Sequence, residues 1–231
     1  MMKTKIQEKL SLNISLFESH PFIKKALDGD LTNQQVINWI MCAGRESRAF
    51  PEIIKNMITW IDDENIKQIL IDNLNDEYGN GNPNEAHFMH YIQLLQKINL
   101  TKEDFLNYEN KAGVDLAVSL AYNVSRSKDV GCVLGYMLLN EALTPIVYSA
   151  IQDAMKIYYP HLNTDFFDIH IQVDEHHVEE LFKAIENLTD KDLASIEFGI
   201  ELGQRGMSVI LDESIGIFDE IDTLPQLSLE I

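Results

Sequence analysis

The segment Asp168–Glu180, DIHIQVDEHHVEE, holds three of the chain's seven histidines and five of its carboxylates. On a helix, positions i, i+4 and i+7 share one face, and His170, Asp174 and His177 have that spacing. Ile169, Val173 and Phe182 place core contact beside this stripe, whereas Glu175, His176 and Glu179 fall on the opposite, solvated side. A lone inward histidine is ordinarily a hydrogen-bonded core residue. Two imidazoles and a carboxylate on one inward face demand more, because buried charge must be paired or bound to a metal.

Other parts of the chain offer matching groups. Glu141 lies in VGCVLGYMLLNEALTPIVY, the most apolar stretch, and no Lys or Arg occurs between residues 129 and 155. It must pair with a base from another helix or bind a metal. Glu77 and His87 flank the loop DEYGNGNPNEAH, whose glycines, asparagines and proline turn the chain and bring the two near each other, although His90 is an equally good histidine by composition. The set Glu77, His87, Glu141, His170, Asp174 and His177 joins three imidazoles to three carboxylates. Such donors, with no thiolate, suit Fe(II) or Mn(II), and two ions more naturally than one.

Those residues need a scaffold, and its composition is that of a globular domain. The 231 residues are 45% hydrophobic, enough to bury a sizeable core. No run of about 18 apolar residues suggests a membrane span. The start MMKTKIQEKLSLNISLF lacks a secretory signal pattern, and Ile6, Leu10, Ile14 and Phe17 are spaced as on one helix face. A cytoplasmic protein is expected. Only Cys42 and Cys132 are present, which excludes a disulfide scaffold and a thiolate-rich metal site. The net charge of −19, without a basic cluster, argues against nucleic acid as a partner.

Helical periodicity dominates the chain. It predicts helices at roughly 3–17, 22–28, 32–60, 63–79, 84–98, 101–126, 130–158, 163–187 and 190–217, with no run of alternating β-branched residues. Thr32 with Gln35 and Thr101 with Asp104 read as capping pairs, and Thr164 and Thr189 as further N-caps. Pro51 and Pro145 fall inside long helices and are expected to kink them. A single all-α helical bundle over residues 1–218, followed by an acidic tail over 219–231, is the simplest organisation.

The six-residue set resembles that of the haem-oxygenase-like di-iron oxidases and oxygenases, iron-containing redox enzymes of the TenA and pyrroloquinoline-quinone synthase fold group. Their pattern runs Glu, then His seven to ten residues on, a mid-chain Glu, and about thirty residues later a helix with H-x3-D/E-x2-H. Here it reads Glu77, His87, Glu141, His170, Asp174 and His177. NLNDEYG ahead of His87, AFP at 49–51 and Pro145 four residues after Glu141 agree with it, and the resemblance spans about residues 15–215. It implies a haem-oxygenase-like bundle of about seven main helices, without haem, holding two iron ions for which manganese could substitute. It further implies an enzyme that activates O2 with an external reductant and oxidises a small organic substrate by N-oxygenation, desaturation or C–C cleavage. Glu141 would be the carboxylate shared by the ions, and Glu46 or Glu52 an additional carboxylate from the early long helix. Tyr136, Met137 and Leu138 would wall the pocket, with Tyr136 a catalytic candidate, although core packing explains them equally well. The branch that makes p-aminobenzoate depends on a Tyr and a Lys of its own chain. Those positions align with Ile23 and Ile151, which speaks against that activity. By the same analogy a homodimer is expected.

Two rivals remain from the residues. Cys132-x3-Tyr136 is spaced like the Cys/Tyr pair of a TenA-like thiaminase, which needs a thiolate nucleophile and no metal, but H-x3-D-x2-H would then have no role. A metal-binding or protein-interaction bundle without turnover is the other.

Overall fold

The computed structural model describes residues 2–218, except the side chains at 2, 165, 169, 170 and 172–175. The expected acidic tail, 219–231, lies outside the described residues. The described residues form ten α-helices: α1 (Met2–Glu18), α2 (Pro21–Leu27), α3 (Asn33–Ile58), α4 (Glu64–Glu77), α5 (His87–Lys97), α6 (Lys102–Asn107), α7 (Ala112–Ser125), α8 (Val130–Tyr158), α9 (Asp165–Glu186) and α10 (Leu193–Ser214). A 3-10 turn, Pro83–Glu85, precedes α5, and no strand occurs among the described residues. The all-α bundle is as expected. The helices outnumber the seven implied by resemblance because short pieces such as α2 and α6 count separately.

The long helix α8 is the axis on which the others pack, most extensively α10 and α9. Gly135 and Gly199 let the backbones of α8 and α10 touch. A Cβ on Gly135 would lie 2.1 Å from the carbonyl oxygen of Ile196, and one on Gly199 2.1 Å from that of Cys132. Any larger residue at either position would drive the two helices apart. By length and composition α8 is the one described helix that could cross a membrane, but 67% of its most apolar window is buried inside the bundle.

Helix starts show which local signals act. Thr32 and Gln35 close a capping box on α3, as do Thr101 and Asp104 on α6. Thr164 precedes α9 but makes no capping bond; its hydroxyl accepts from Gln152 Nε2 instead. Thr189 lies before the start of α10 and donates to Asp192 Oδ2, so that helix begins at Leu193 rather than at 190.

The helix expected over 101–126 is two helices. The break at 108–111 is held from a distance. Arg45 Nη2 donates to the Tyr108 carbonyl at 2.8 Å, and Glu213 of α10 accepts from the backbone N–H of Lys111 and Val114 at 3.0 and 2.7 Å. Glu213 thereby satisfies the N-terminus of α7, whose own N-cap residue makes no side-chain bond. Pro51 and Pro145 lie inside α3 and α8, each of which runs continuously past its proline.

Candidate metal centre

A cavity of about 90 Å³ opens between six helices. The α3 face contributes Trp39, Ala43, Glu46, Ser47 and Phe50, spaced at successive turns. Asn73 and Glu77 come from α4, His87 and Tyr91 from α5, and His177 from α9. From α8 come Asn140, Glu141, Thr144, Val147 and Tyr148, while Met207, Ile210 and Leu211 of α10 close the floor.

Glu77 is the last residue of α4 and His87 the first of α5. The turn between them needs left-handed backbone at Gly79 (φ 71°) and Asn80 (φ 51°), residue types that tolerate it. It brings His87 Nδ1 to 2.8 Å from Glu77 Oε1. On the other side, His177 Nδ1 lies 3.3 Å from Glu141 Oε2 and its Nε2 lies 3.2 Å from Asp76 Oδ2. Asn73 Nδ2 donates to Glu141 Oε1 at 2.9 Å. Four of the predicted donors, Glu77, His87, Glu141 and His177, therefore meet around one cavity. His170 and Asp174 lie on α9, and their side chains are outside the described residues. Among the described residues no group of three His, Cys, Asp or Glu side chains could hold a metal ion as placed. The described donors are instead paired with one another.

The electrostatics are those of a site short of positive charge. Burial, reinforced by Glu77 and Glu141, pushes the Glu46 carboxyl from its ordinary 4.5 to about 8. By surface area Glu46 is only half-buried, because part of its surface borders the cavity. The His87 imidazole is pulled down by burial, but Glu77, Glu141 and Asp76 outweigh this and hold it above its ordinary value. Glu77 Oε2 and Asn73 Oδ1 are buried without a hydrogen-bond partner. Unsatisfied buried acceptors of this kind need an explanation, such as a bound ion.

Other expected residues fall elsewhere. Glu52 is exposed and pairs with Lys55, so Glu46 is the α3 carboxylate that reaches the cavity. Tyr136, Met137 and Leu138 are buried but do not line it, which is the core-packing role. Burial and Glu46 both raise the Tyr136 phenol. Cys132 is buried away from the lining, its thiol pushed up to about 11 by burial and Asp129. His176 is exposed beside Glu180, on the solvated face expected for it. Sequence reasoning missed Asn73 and Asp76, which sit one turn and one residue before Glu77. A polar Asn on the buried face of α4, beside Ile66 and Leu70, was the available signal.

The sequence profile of the iron-containing redox enzyme family matches residues 46–205, more than half of the chain. The chain belongs to that family. No curated protein sequence matches this iron-containing redox enzyme family member. Its fold is that of solved haem-oxygenase-like structures. A domain of unknown function with a heme oxygenase-like fold from Shewanella denitrificans OS217 aligns with TM-score 0.79 and 17% identity, covering 96% of each chain. A CADD-like protein of unknown function from Nostoc punctiforme PCC 73102 aligns with TM-score 0.74 and 12% identity over 93% of this chain and 99% of that one. A TenA homologue from Pseudomonas syringae pv. tomato DC3000 aligns with TM-score 0.70 and 13% identity over 92% and 91%.

The donor chemistry of this family member fits iron. The cavity offers carboxylate oxygens and imidazole nitrogens without thiolate, the set that suits Fe(II). It leaves a buried carboxylate oxygen of Glu77 open. It also places three glutamates together with no Lys or Arg among the lining residues.

Proposed function

We propose that the chain is a non-haem oxidase or oxygenase that uses two iron ions and O2 to oxidise a small organic substrate in this cavity. The observation that carries the reading is the convergence of Glu77, His87, Glu141 and His177 on one acidic cavity within an iron-containing redox enzyme. Glu77, His87, Glu141, His170, Asp174 and His177 are the residues that would hold the ions. Iron held there would supply the electrons for O2 activation, with an external reductant to restore them.

The chain's own residues set the conditions. Asn73 orients Glu141 through its Nδ2 donor, and Asp76 holds His177 through Nε2. Outer partners of this kind fix the orientation of metal-binding groups. Trp39, Phe50, Tyr91, Val147 and Tyr148 form an apolar wall that excludes bulk water from the reacting region. The Tyr91 and Tyr148 hydroxyls hydrogen-bond to each other at 2.6 Å, which fixes the two rings.

Metal analysis with Mössbauer spectroscopy of iron-loaded protein tests the reading. Close to two irons per chain are expected, with O2 consumed once substrate is added. A chain that binds no iron, or whose binding survives Glu141→Ala, would sink the proposal. Iron that binds but never consumes O2 would leave a non-catalytic metal-binding module. The thiaminase reading is not favoured, because Cys132 neither lines the cavity nor has the lowered pKa of an activated thiol.

A further inference from the structure

Ile66, Leu70, Asn73 and Glu77 form the buried stripe of α4. The first two are ordinary core residues. The last two are polar, and each keeps one buried oxygen, Asn73 Oδ1 and Glu77 Oε2, that has no partner among the described residues. Asn73 is 6% exposed and Glu77 8%, and both line the cavity. They are four residues apart on one face of the helix. Glu77 is one of the six ligand candidates, whereas Asn73 is none of them.

The neighbours of Asn73 fix which way its amide points. Nδ2 lies 2.9 Å from Glu141 Oε1 and 3.3 Å from His177 Nδ1. An amide nitrogen donates and a carboxylate oxygen accepts. Turning the amide over would set oxygen against oxygen at 2.9 Å. Nδ2 therefore faces α8 and α9, and the planar group directs Oδ1 away from both.

An acceptor left open in this way is costly unless something from outside the fold fills it. A hydroxyl or water donor sits about 2.7–2.8 Å from an acceptor oxygen. A hard divalent cation sits at about 2.0–2.2 Å. Asn73 Oδ1 is closed to water, so the ion that packs closer is the better match. Amide carbonyls are accepted ligands of such cations. Asn73 also supplies a donor oxygen without adding charge to a wall that already carries Glu46, Glu77 and Glu141.

We propose that Asn73 is itself a metal ligand, giving Oδ1 to the ion held by Glu77 and His87 while Nδ2 keeps Glu141 in place. The inference rests on the reading of this cavity as a two-ion centre and adds a neutral oxygen donor to it.

The test compares wild type, Asn73→Leu and Asn73→Asp as full chains, loaded anaerobically with Fe(II) and, separately, with redox-inert Mn(II). Ions are counted by metal analysis, the iron samples are examined by Mössbauer spectroscopy, and circular dichroism checks the helices. Wild type is expected to hold close to two ions. Asn73→Leu, which keeps the bulk and loses the oxygen, is expected to hold close to one. Asn73→Asp keeps an oxygen donor and loses the N–H donor. It is expected to hold two, with the Mössbauer signal of one iron altered. A residue that only orients Glu141 gives the opposite result, because the aspartate would repel Glu141 and lose ions as the leucine does. Two ions in Asn73→Leu, ions lost from Asn73→Asp, or an Asn73→Asp spectrum identical to wild type overturns the inference. The aspartate variant decides alone if Asn73→Leu fails to fold. The expected pattern in a wild-type chain that never consumes O2 defeats the oxidase reading and leaves the ligand standing. O2 consumption by a two-iron wild type, with two irons kept in Asn73→Leu, does the reverse. A wild-type chain that binds neither ion defeats both.

Discussion

Glu213 and Glu77 are both buried carboxylates in helices of one bundle, 2% and 8% exposed, and their surroundings treat them in opposite ways. Glu213 accepts from two backbone N–H groups and from the Tyr108 hydroxyl, and both of its oxygens are used. Cys42, whose sulfur contacts the same tyrosine, is pushed up to about 12, chiefly by burial. This is a structural cluster, closed on itself, that ends one helix and starts another. Glu77 spends one oxygen on His87 and leaves the other open, and together with Glu141 it helps to raise the Glu46 carboxyl. A buried acid whose acceptors are filled by the fold holds the fold together. A buried acid with acceptors left open, among others of its kind, is arranged for a cation that comes from outside.

The largest effect expected from this contrast is loss of metal. Glu141→Ala or His177→Ala should reduce bound iron from about two per chain to one or none, read by metal analysis and Mössbauer spectroscopy. Glu213→Ala should leave iron content intact, because its carboxylate binds only groups of the fold. If Glu213→Ala removes iron as thoroughly as Glu141→Ala, while the helical circular dichroism signal persists, the distinction between the two regions fails.

The next effect is on stability, and it runs the other way. Glu213→Ala strands two backbone N–H groups at the start of α7 and the Tyr108 hydroxyl. Each buried orphan costs about 1–3 kcal/mol, so a loss of about 3 kcal/mol is expected. For a chain of this length that lowers Tm by roughly 6–12 °C. Thermal unfolding followed by circular dichroism measures it, and a shift below about 2 °C would show that the 108–111 segment is held by Arg45 alone.

The two clusters differed equally in how far the sequence revealed them. The capping boxes at Thr32 and Thr101 were legible because donor and acceptor lie three residues apart. Glu77, His87, Glu141 and His177 were legible as a set because acids and imidazoles stood out against apolar helix faces. The break between α6 and α7 was not, since it depends on Glu213, about a hundred residues away, reaching back to Lys111 and Val114. The choice between Glu46 and Glu52 needed the orientation of α3, which Trp39, Ala43 and Phe50 on the cavity face supply. Asn73 and Asp76 were overlooked because their roles are to hold other ligand candidates.

A pH effect should separate the metal-free regions further; fully expressed it would be about 5 kcal/mol, and screening of the half-buried Glu46 side chain reduces it to about 2 kcal/mol. The folded-state Glu46 carboxyl stands at about 8 against an ordinary 4.5, so between those values the folded chain keeps a proton that the unfolded chain has lost. Stability contributed below pH 4.5 is therefore lost as pH rises through 8. His87 acts in the same direction, since its folded pKa is also raised. Metal-free protein should lose Tm from pH 5 to 8, and Glu46→Gln should flatten part of that slope. An unchanged slope in Glu46→Gln would assign the effect to His87.

Asp76→Asn comes next. The carboxylate that holds His177 Nε2 is replaced by an amide of the same shape, so the ring loses a charged partner while the cavity keeps its volume. Iron affinity should fall about tenfold, measured by competition with a chelator, and the fold should be unaffected. No change in affinity would reduce Asp76 to a surface contact.

The smallest effect is the sharpest test of which α9 face is inward. His176 and His177 are adjacent, yet the His176 side chain is 65% exposed and that of His177 12%. His176 lies 3.6 Å from Glu180 one turn away, an exposed pair worth little in water. His176→Ala should change Tm by less than about 2 °C and leave iron content at the wild-type level, whereas His177→Ala removes a group that contacts Glu141, Asn73 and Asp76 together. Equal loss of iron from the two substitutions would mean that the helix presents its other face to the metal.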